Sequence, residues 1–157
     1  MDKKLPPYRT FLASDSEIRE LLRDHRTIAV CGARAGSSDE VARALQTTRE
    51  LGQRGYRVLL IGADAADAEH SPVANGLEEV DEPIGIVLVF PGAQELRALV
   101  ETAAASGAGV IWFEVGVDAP HTAHRANRLG MTAVLGRSII GEYEMHFPDD
   151  ELGIDEA

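Results

Sequence analysis

Five short apolar runs recur along the chain, and a segment with helical spacing of apolar residues precedes or follows each of them. Within the runs the apolar residues are continuous rather than alternating with polar ones, which is typical of strands buried on both faces. The pattern predicts an α/β fold in which five strands form an open parallel sheet with helices on both faces. The runs are TIAV at 27–30, YRVLLIG at 56–62, IVLVF at 86–90, GVIWF at 109–113 and MTAVL at 131–135.

The segments between the runs carry the sequence signals of helices. Ser14 and Glu17 have the spacing of a capping box at the start of a helix. Pro120 suits the first turn of a later helix, because an amide hydrogen would have no partner within the helix there. The sequence therefore predicts helices over 14–26, from about 38 to 54, over 91–107 and over 118–130, and a helical turn around 139–146.

Composition is that of an ordinary globular protein, with 157 residues of which 45% are hydrophobic and 26% charged. This length fits a single domain, which we expect over 1–147, followed by an acidic tail over 148–157. The net charge of −11 argues against a nucleic-acid partner, since such proteins present a basic face. With one cysteine and no apolar run of membrane length, we expect a cytoplasmic protein with no membrane partner.

The loop after the first strand is suited to a phosphate group. A glycine permits a sharp turn, small residues leave room for a ligand, and hydroxyl groups lie beside the free N–H groups of the next helix. Arg34 would add a charge and a two-pronged contact to phosphate oxygens. A plain turn between a strand and a helix explains the same stretch equally well, since it is neither a GxGxxG nor a Walker A motif. The remaining residues of the loop that we single out are Gly32, Ala33, Gly36, Ser37 and Ser38.

Other candidate residues follow from the rule that doubly wound sheets bind ligands beyond the carboxyl ends of their strands. Gly62 opens the loop after the second strand, and Glu114 and Arg137 stand at the ends of the fourth and fifth strands. Cys31 stands at the end of the first strand, where it is either a reactive thiol or a small core residue. We favour the core, because no base lies near it in the sequence.

The amino-acid sequences of these segments, and their order, resemble those of the small stand-alone CoA-binding proteins. The Rossmann-like domain of that family is related to the CoA-binding domain of the succinyl-CoA synthetase α subunit. The resemblance covers about 14–147. It implies a doubly wound three-layer sandwich with strand order 3-2-1-4-5 and a role in binding coenzyme A or an acyl-CoA. The stretches that carry it are EIRELLRDHRTIAVCGAR, VARAL, GYRVLLI, IVLVF, GVIWFEVGV and GRSII.

Position by position, the resemblance implies a set of ligand contacts along one edge of the sheet. This sequence departs from the family pattern where Arg34 replaces a serine, Glu114 a glutamine and Ser138 a cysteine. Gly62 and Ala63 replace an Asn-Pro pair after the second strand. The implied contacts are Gly32, Ala33, Arg34, Val89, Phe90, Glu114, Val115, Gly116, Arg137 and Ser138.

Taken together, the sequence predicts a protein that binds coenzyme A or an acyl-CoA without catalysis of its own, since it offers no clear nucleophile–base pair. Two alternatives stay open. Asp64 follows the second strand, where a carboxylate can hold the ribose of NAD(H), although it lies further from Gly32 than the usual ~20 residues. That interpretation makes the protein a redox sensor or an oxidoreductase. The other alternative is a protein-interaction module that keeps the fold without a ligand, and a homodimer is compatible with all three.

Overall fold

A six-stranded parallel sheet forms the centre of the structure, a computed structural model that describes residues 13–33, 38–64 and 71–149. Most of the predicted acidic tail, from 150 onwards, lies outside the described residues. The strands are β1 Thr27–Cys31, β2 Arg57–Ile61, β3 Val73–Ala74, β4 Ile86–Val89, β5 Val110–Phe113 and β6 Thr132–Leu135. The helices are α1 Asp15–Asp24, α2 Ser38–Gln53, α3 Leu96–Ala105, α4 Pro120–Arg128 and α5 Ile139–His146, with a short 3-10 turn at Leu77–Glu79.

The strand order is β3-β2-β1-β4-β5-β6, and every neighbouring pair is parallel. The expected doubly wound α/β fold is confirmed, and the sheet has six strands in the order 3-2-1-4-5-6 where five in the order 3-2-1-4-5 were expected. The added strand is β3. The count differs because β3 has two residues, and Val73 in it is exposed, so no apolar run marks it in the sequence. The run at 86–90, which we counted as the third strand, is therefore β4 and pairs with β1.

Helix α1 begins where the capping box places it. The Ser14 amide donates to Oε1 of Glu17 at 2.7 Å, and the Glu17 amide donates to Oγ of Ser14 at 3.3 Å. One face of the helix is then buried by Ile18 and two leucines one turn later. Local signals and apolar spacing agree here, and this agreement explains why the sequence alone predicts the start of the helix.

Helix α3 begins later than the sequence predicts. Residues 91–95 form a turn, in which the Ala93 amide donates to the carbonyl of Phe90 at 2.9 Å, and the helix starts only at Leu96. Pro91 and Gly92 are the reason, because a Pro-Gly pair favours a turn over a helix. The turn lies at the carboxyl end of β4, which is the edge where a ligand is expected.

The core has two parts, one on each face of the sheet, because successive side chains of a strand point to opposite faces. Trp112 lies in the part that includes α1 and α5, while Cys31 lies in the part that includes α3 and α4. Burial raises the pKa of the Cys31 thiol to about 12, so the group is neutral at physiological pH and behaves as a core residue. Of the helices described, none is long and apolar enough to cross a membrane.

Candidate functional site

The strand order reverses at β1, and a cavity lies at the carboxyl edge beside this reversal. Strand β1 pairs with β2 on one side and with β4 on the other, and the crevice at such a point is where doubly wound sheets bind ligands. The cavity has a volume of about 370 Å³. It is bounded by the first turns of α2, the turn after β4 and the turn after β5. Its lining residues are Asp39, Glu40, Arg43, Pro91, Val115 and Gly116.

The end of β1 lies directly against the turn after β4. Gly32 has a φ of +106°, and a Cβ atom there would lie 2.9 Å from the Ala93 nitrogen and 3.0 Å from the Phe90 oxygen. The neighbouring Ala33 is 1% exposed. The end of β1 therefore lies so close to the turn after β4 that a side chain at position 32 would collide with backbone atoms of that turn.

Arg43 joins two walls of the cavity. Its Nη2 atom donates a hydrogen bond to the Val115 carbonyl at 2.9 Å, which ties α2 to the turn after β5. Its guanidinium carbon lies 5.6 Å from the ring centre of Phe90, a distance at which a cation attracts an aromatic face. Because the Phe90 side chain is fully buried, this ring forms a fixed support beneath the arginine.

Glu114 is a buried carboxyl group at the end of β5, beside the cavity. It is 4% exposed, and its Oε2 atom accepts a hydrogen bond from the Ile139 amide at 2.6 Å. Burial raises the pKa of Glu114, while the amide of Ile139 and the charge of Arg43 act in the opposite direction. The carboxyl group thus satisfies an amide at the start of α5, which otherwise has no partner within the helix.

The two predicted residues after β6 are engaged in contacts within the protein. Oγ of Ser138 accepts a hydrogen bond from the Gly141 amide at 3.1 Å, which caps α5. Nη1 of Arg137 lies 2.9 Å from Oδ1 of Asp15 and 3.3 Å from Oε2 of Glu142. The described polar contacts of the Arg137 side chain are with α1 and α5 rather than with the residues that line the cavity.

The remaining predicted site residues differ in what the structure says of them. Val89 and Phe90 are fully buried at the end of β4, so their side chains are not open to a ligand. A ligand could contact their backbone, or could contact Arg43, which lies over the Phe90 ring. Gly62 follows β2 with a φ of +76° and has open space where a Cβ atom would lie. Arg34, Gly36 and Ser37 lie outside the described residues, and for Ser38 only its place at the start of α2 is described.

The sequence predictions assign none of Asp39, Glu40, Arg43 and Pro91 to the ligand site, although all four line the cavity. Arg43 falls four residues after Asp39 in a helix that the sequence does predict, and residues at this spacing share one face of a helix. That spacing could have placed Arg43 beside the first turn of α2. Pro91 directly follows the apolar run at 86–90, and the Pro-Gly pair there indicates a turn at the carboxyl edge, a signal that the predicted helix over 91–107 does not use.

Among the cavities lined by described residues, two others are larger and lie beside helices away from this edge. One, of about 500 Å³, is next to the ion pair of Arg54 with Glu144, and the other, of about 400 Å³, is next to that of Arg125 with Glu101. Neither is lined by residues at the carboxyl ends of β1 or β4. We therefore place the candidate site at the smaller cavity, where the sheet topology and the lining residues agree.

The fold and this edge define an α/β protein of the Rossmann-like type, with a ligand crevice at the reversal of strand order. The model of the family described as the CoA binding domain matches residues 26–144, so the chain belongs to that family. The match runs from just before β1 into α5. It therefore covers all six strands together with the cavity.

The chain is also similar to particular proteins. It is 26% identical over 123 residues to the Bacillus subtilis (strain 168) protein YneT, an alignment that covers 78% of this chain and 88% of YneT. The solved structure of cell-free ID.343 from Thermus thermophilus is 26% identical with a TM-score of 0.72, covering 86% of this chain and 100% of that one. A hypothetical protein from Pyrococcus horikoshii OT3 shares the fold at 21% identity, with a TM-score of 0.75 and coverage of 94% and 99%.

Proposed function

We propose that this protein binds coenzyme A or an acyl-CoA in the cavity at the carboxyl edge of its sheet, without catalysing a reaction itself. The observation that carries the proposal is the position of the cavity, at the carboxyl ends of β1, β4 and β5 where the strand order reverses. Membership of the CoA-binding domain family supports CoA over other nucleotides as the ligand.

In this proposal the diphosphate of CoA lies beside the start of α2, and Arg34 supplies a positive charge. Asp39 and Glu40 line the same cavity and repel an anion, so the bound phosphates depend on the cations and on N–H groups at the start of the helix. The pantetheine arm then follows the turn at Val115 and Gly116. We keep Arg137 and Ser138 as proposed ligand contacts at the same edge of the sheet. A ligand that binds them would compete with the contacts that they make with Asp15 and Gly141.

The proposal is tested by comparing ligands in thermal denaturation of the full chain. CoA, acetyl-CoA, NAD and NADH are each added at millimolar concentration, and the midpoint of unfolding is measured. A ligand that binds only the folded state at 100 times its Kd stabilises the protein by about 2.7 kcal/mol. We expect CoA or acetyl-CoA to raise the midpoint. A larger effect of NAD or NADH would support a dinucleotide-binding protein instead, and no effect of any of the four would support the interaction module.

Arg34→Ala tests where the phosphates lie. We expect it to weaken CoA binding by about 1–3 kcal/mol, the usual scale for loss of a charge-assisted contact. Titration calorimetry of wild type and variant measures the difference. Arg23→Ala, which removes an exposed charge near the end of α1, serves as the control and should leave the affinity within about twofold. Equal affinity of the Arg34 variant and wild type would place the phosphates elsewhere.

A further inference from the structure

We infer that Arg43 binds the diphosphate of the ligand. The inference rests on the proposed function and adds a residue that neither the sequence motif nor the resemblance assigns. Among the residues that the structure describes, Arg43 is the one basic side chain that lines the cavity at the reversal of strand order. A diphosphate carries negative charge that this cavity must offset, because Asp39 and Glu40 line it as well.

The contacts of Arg43 leave its guanidinium able to take a second partner. A guanidinium has five N–H donors in a planar fork, and one hydrogen bond, to the Val115 carbonyl, is described for Arg43. The Phe90 ring and this carbonyl hold the group across the cavity from two sides. A side chain that is already ordered loses less conformational entropy when it binds an anion, which favours Arg43 over a freely moving surface arginine.

Arg43 supplies positive charge at a cavity where Asp39 and Glu40 repel an anion. Its charge acts on the buried carboxyl group of Glu114 from outside the core. Because the carbonyl of Val115 is neutral, the guanidinium keeps its full charge while it makes that hydrogen bond. A phosphate oxygen is a stronger acceptor for it than a carbonyl, because an anionic oxygen adds charge–charge attraction that a neutral carbonyl does not offer.

A purely structural role is the competing explanation, in which Arg43 only ties α2 to the turn after β5. Such a role predicts a loss of stability that is independent of phosphate. A diphosphate-binding role predicts a loss that depends on the phosphate groups of the ligand and on salt. The two explanations therefore differ in which ligands and which conditions reveal the effect of a substitution.

The experiment measures binding of CoA and of inorganic pyrophosphate to wild type, Arg43→Ala and Arg43→Lys at two salt concentrations. We expect Arg43→Ala to weaken CoA about 10–100-fold and to abolish competition by pyrophosphate. Lysine, which keeps the charge but loses the fork, should give an intermediate affinity. The dependence of CoA affinity on salt should be weaker for the alanine variant, because one charged contact is gone. Thermal denaturation of each free variant verifies that it is folded.

Arg49→Ala, an exposed position further along α2, is the matched control and should change CoA affinity by less than about twofold. If wild type and a folded Arg43→Ala bind CoA equally, the inference is overturned while the proposed function stands. If wild type binds neither CoA nor pyrophosphate, both fail together. Arg43-dependent binding of pyrophosphate without binding of CoA would keep the anion site and remove CoA as its ligand.

Discussion

Gly32 combines a backbone conformation that other residues rarely adopt with a lack of space for any side chain. Its φ of +106° and the 2.9 Å that would separate a Cβ atom from the Ala93 nitrogen act together. A positive φ costs a residue with a Cβ atom roughly 1–2 kcal/mol, and overpacking typically costs about 1–3 kcal/mol more. Gly62 offers a natural comparison, because its φ is +76° but nothing would contact an added Cβ atom.

We expect Gly32→Ala to lower the free energy of unfolding by about 2–5 kcal/mol and Gly62→Ala by about 1–2 kcal/mol. Urea denaturation of the two variants beside wild type measures both losses. The difference between them isolates the collision with the turn after β4 from the cost of the backbone conformation. Equal losses would show that the turn after β4 moves aside for a side chain at position 32 at little cost in free energy.

Glu114 is predicted to make the stability of the protein depend on pH. Because burial raises its pKa above the ordinary value of 4.5, the folded state holds the proton more tightly than the unfolded state does. The ionised form is therefore unfavourable in the fold, and stability falls as pH rises from about 4.5 through the raised pKa. Glu114→Gln removes the charge and keeps an oxygen that can accept from the Ile139 amide.

We expect Glu114→Gln to be more stable than wild type at pH 7, with the difference vanishing at or below pH 4.5, where the wild-type carboxyl group is also protonated. Denaturation midpoints from pH 4 to pH 8 measure this trend. Glu101→Gln is the control with the opposite sign, because Arg125 lowers the pKa of that exposed carboxyl group. A glutamine at 114 that destabilises the protein at pH 7 would mean that its ionised carboxylate is favourable in the fold.

At the scale of single residues, sequence reasoning located positions better than contacts. It placed Gly32, Glu114 and Gly116 at the carboxyl edge, because strand ends can be read from apolar runs. It could not show that the Glu114 carboxyl group binds the start of α5, or that Arg137 pairs with Asp15, since those partners are distant in the chain.

Among the elements, α1 shows how local signals define a helix. Its first turn is closed by reciprocal hydrogen bonds between Ser14 and Glu17. We expect Ser14→Ala to lower the free energy of unfolding by about 1 kcal/mol, the usual cost of losing a helix cap. Glu20→Ala, an exposed change further along α1, should stay within about 0.5 kcal/mol. Chemical denaturation compares them, and similar effects of both substitutions would argue against a capping role for Ser14.

Helices and strands could be predicted from the sequence where local signals, such as caps and apolar spacing, agree with the packing in the fold. They could not be predicted where such signals are absent. The starts of α1 and α4 follow from the capping box and from Pro120. Strand β3 could not be predicted, because two residues paired with β2 carry no periodic pattern. The late start of α3 was missed because the predicted helix began at Pro91, although the Pro-Gly pair indicates a turn and the apolar spacing begins only at Leu96.

For the molecule as a whole, continuous apolar runs that alternate with helices were sufficient to predict a doubly wound parallel sheet. The order of the strands came from the family resemblance, since right-handed crossovers leave more than one arrangement. The cavity could not be predicted from the sequence, because the hydrogen bond of Arg43 with Val115 joins residues 72 positions apart in the chain. Its existence nevertheless agrees with the general rule for where such sheets bind ligands.

The central claim is that the protein binds CoA at the reversal of strand order. Titration calorimetry of the 157-residue chain with CoA tests it most directly, because it needs neither a partner protein nor an assumed reaction. We expect a saturable heat with one ligand per chain and a weaker affinity for the Arg43→Ala variant. The absence of any heat at millimolar CoA, together with an unchanged thermal midpoint, would contradict it.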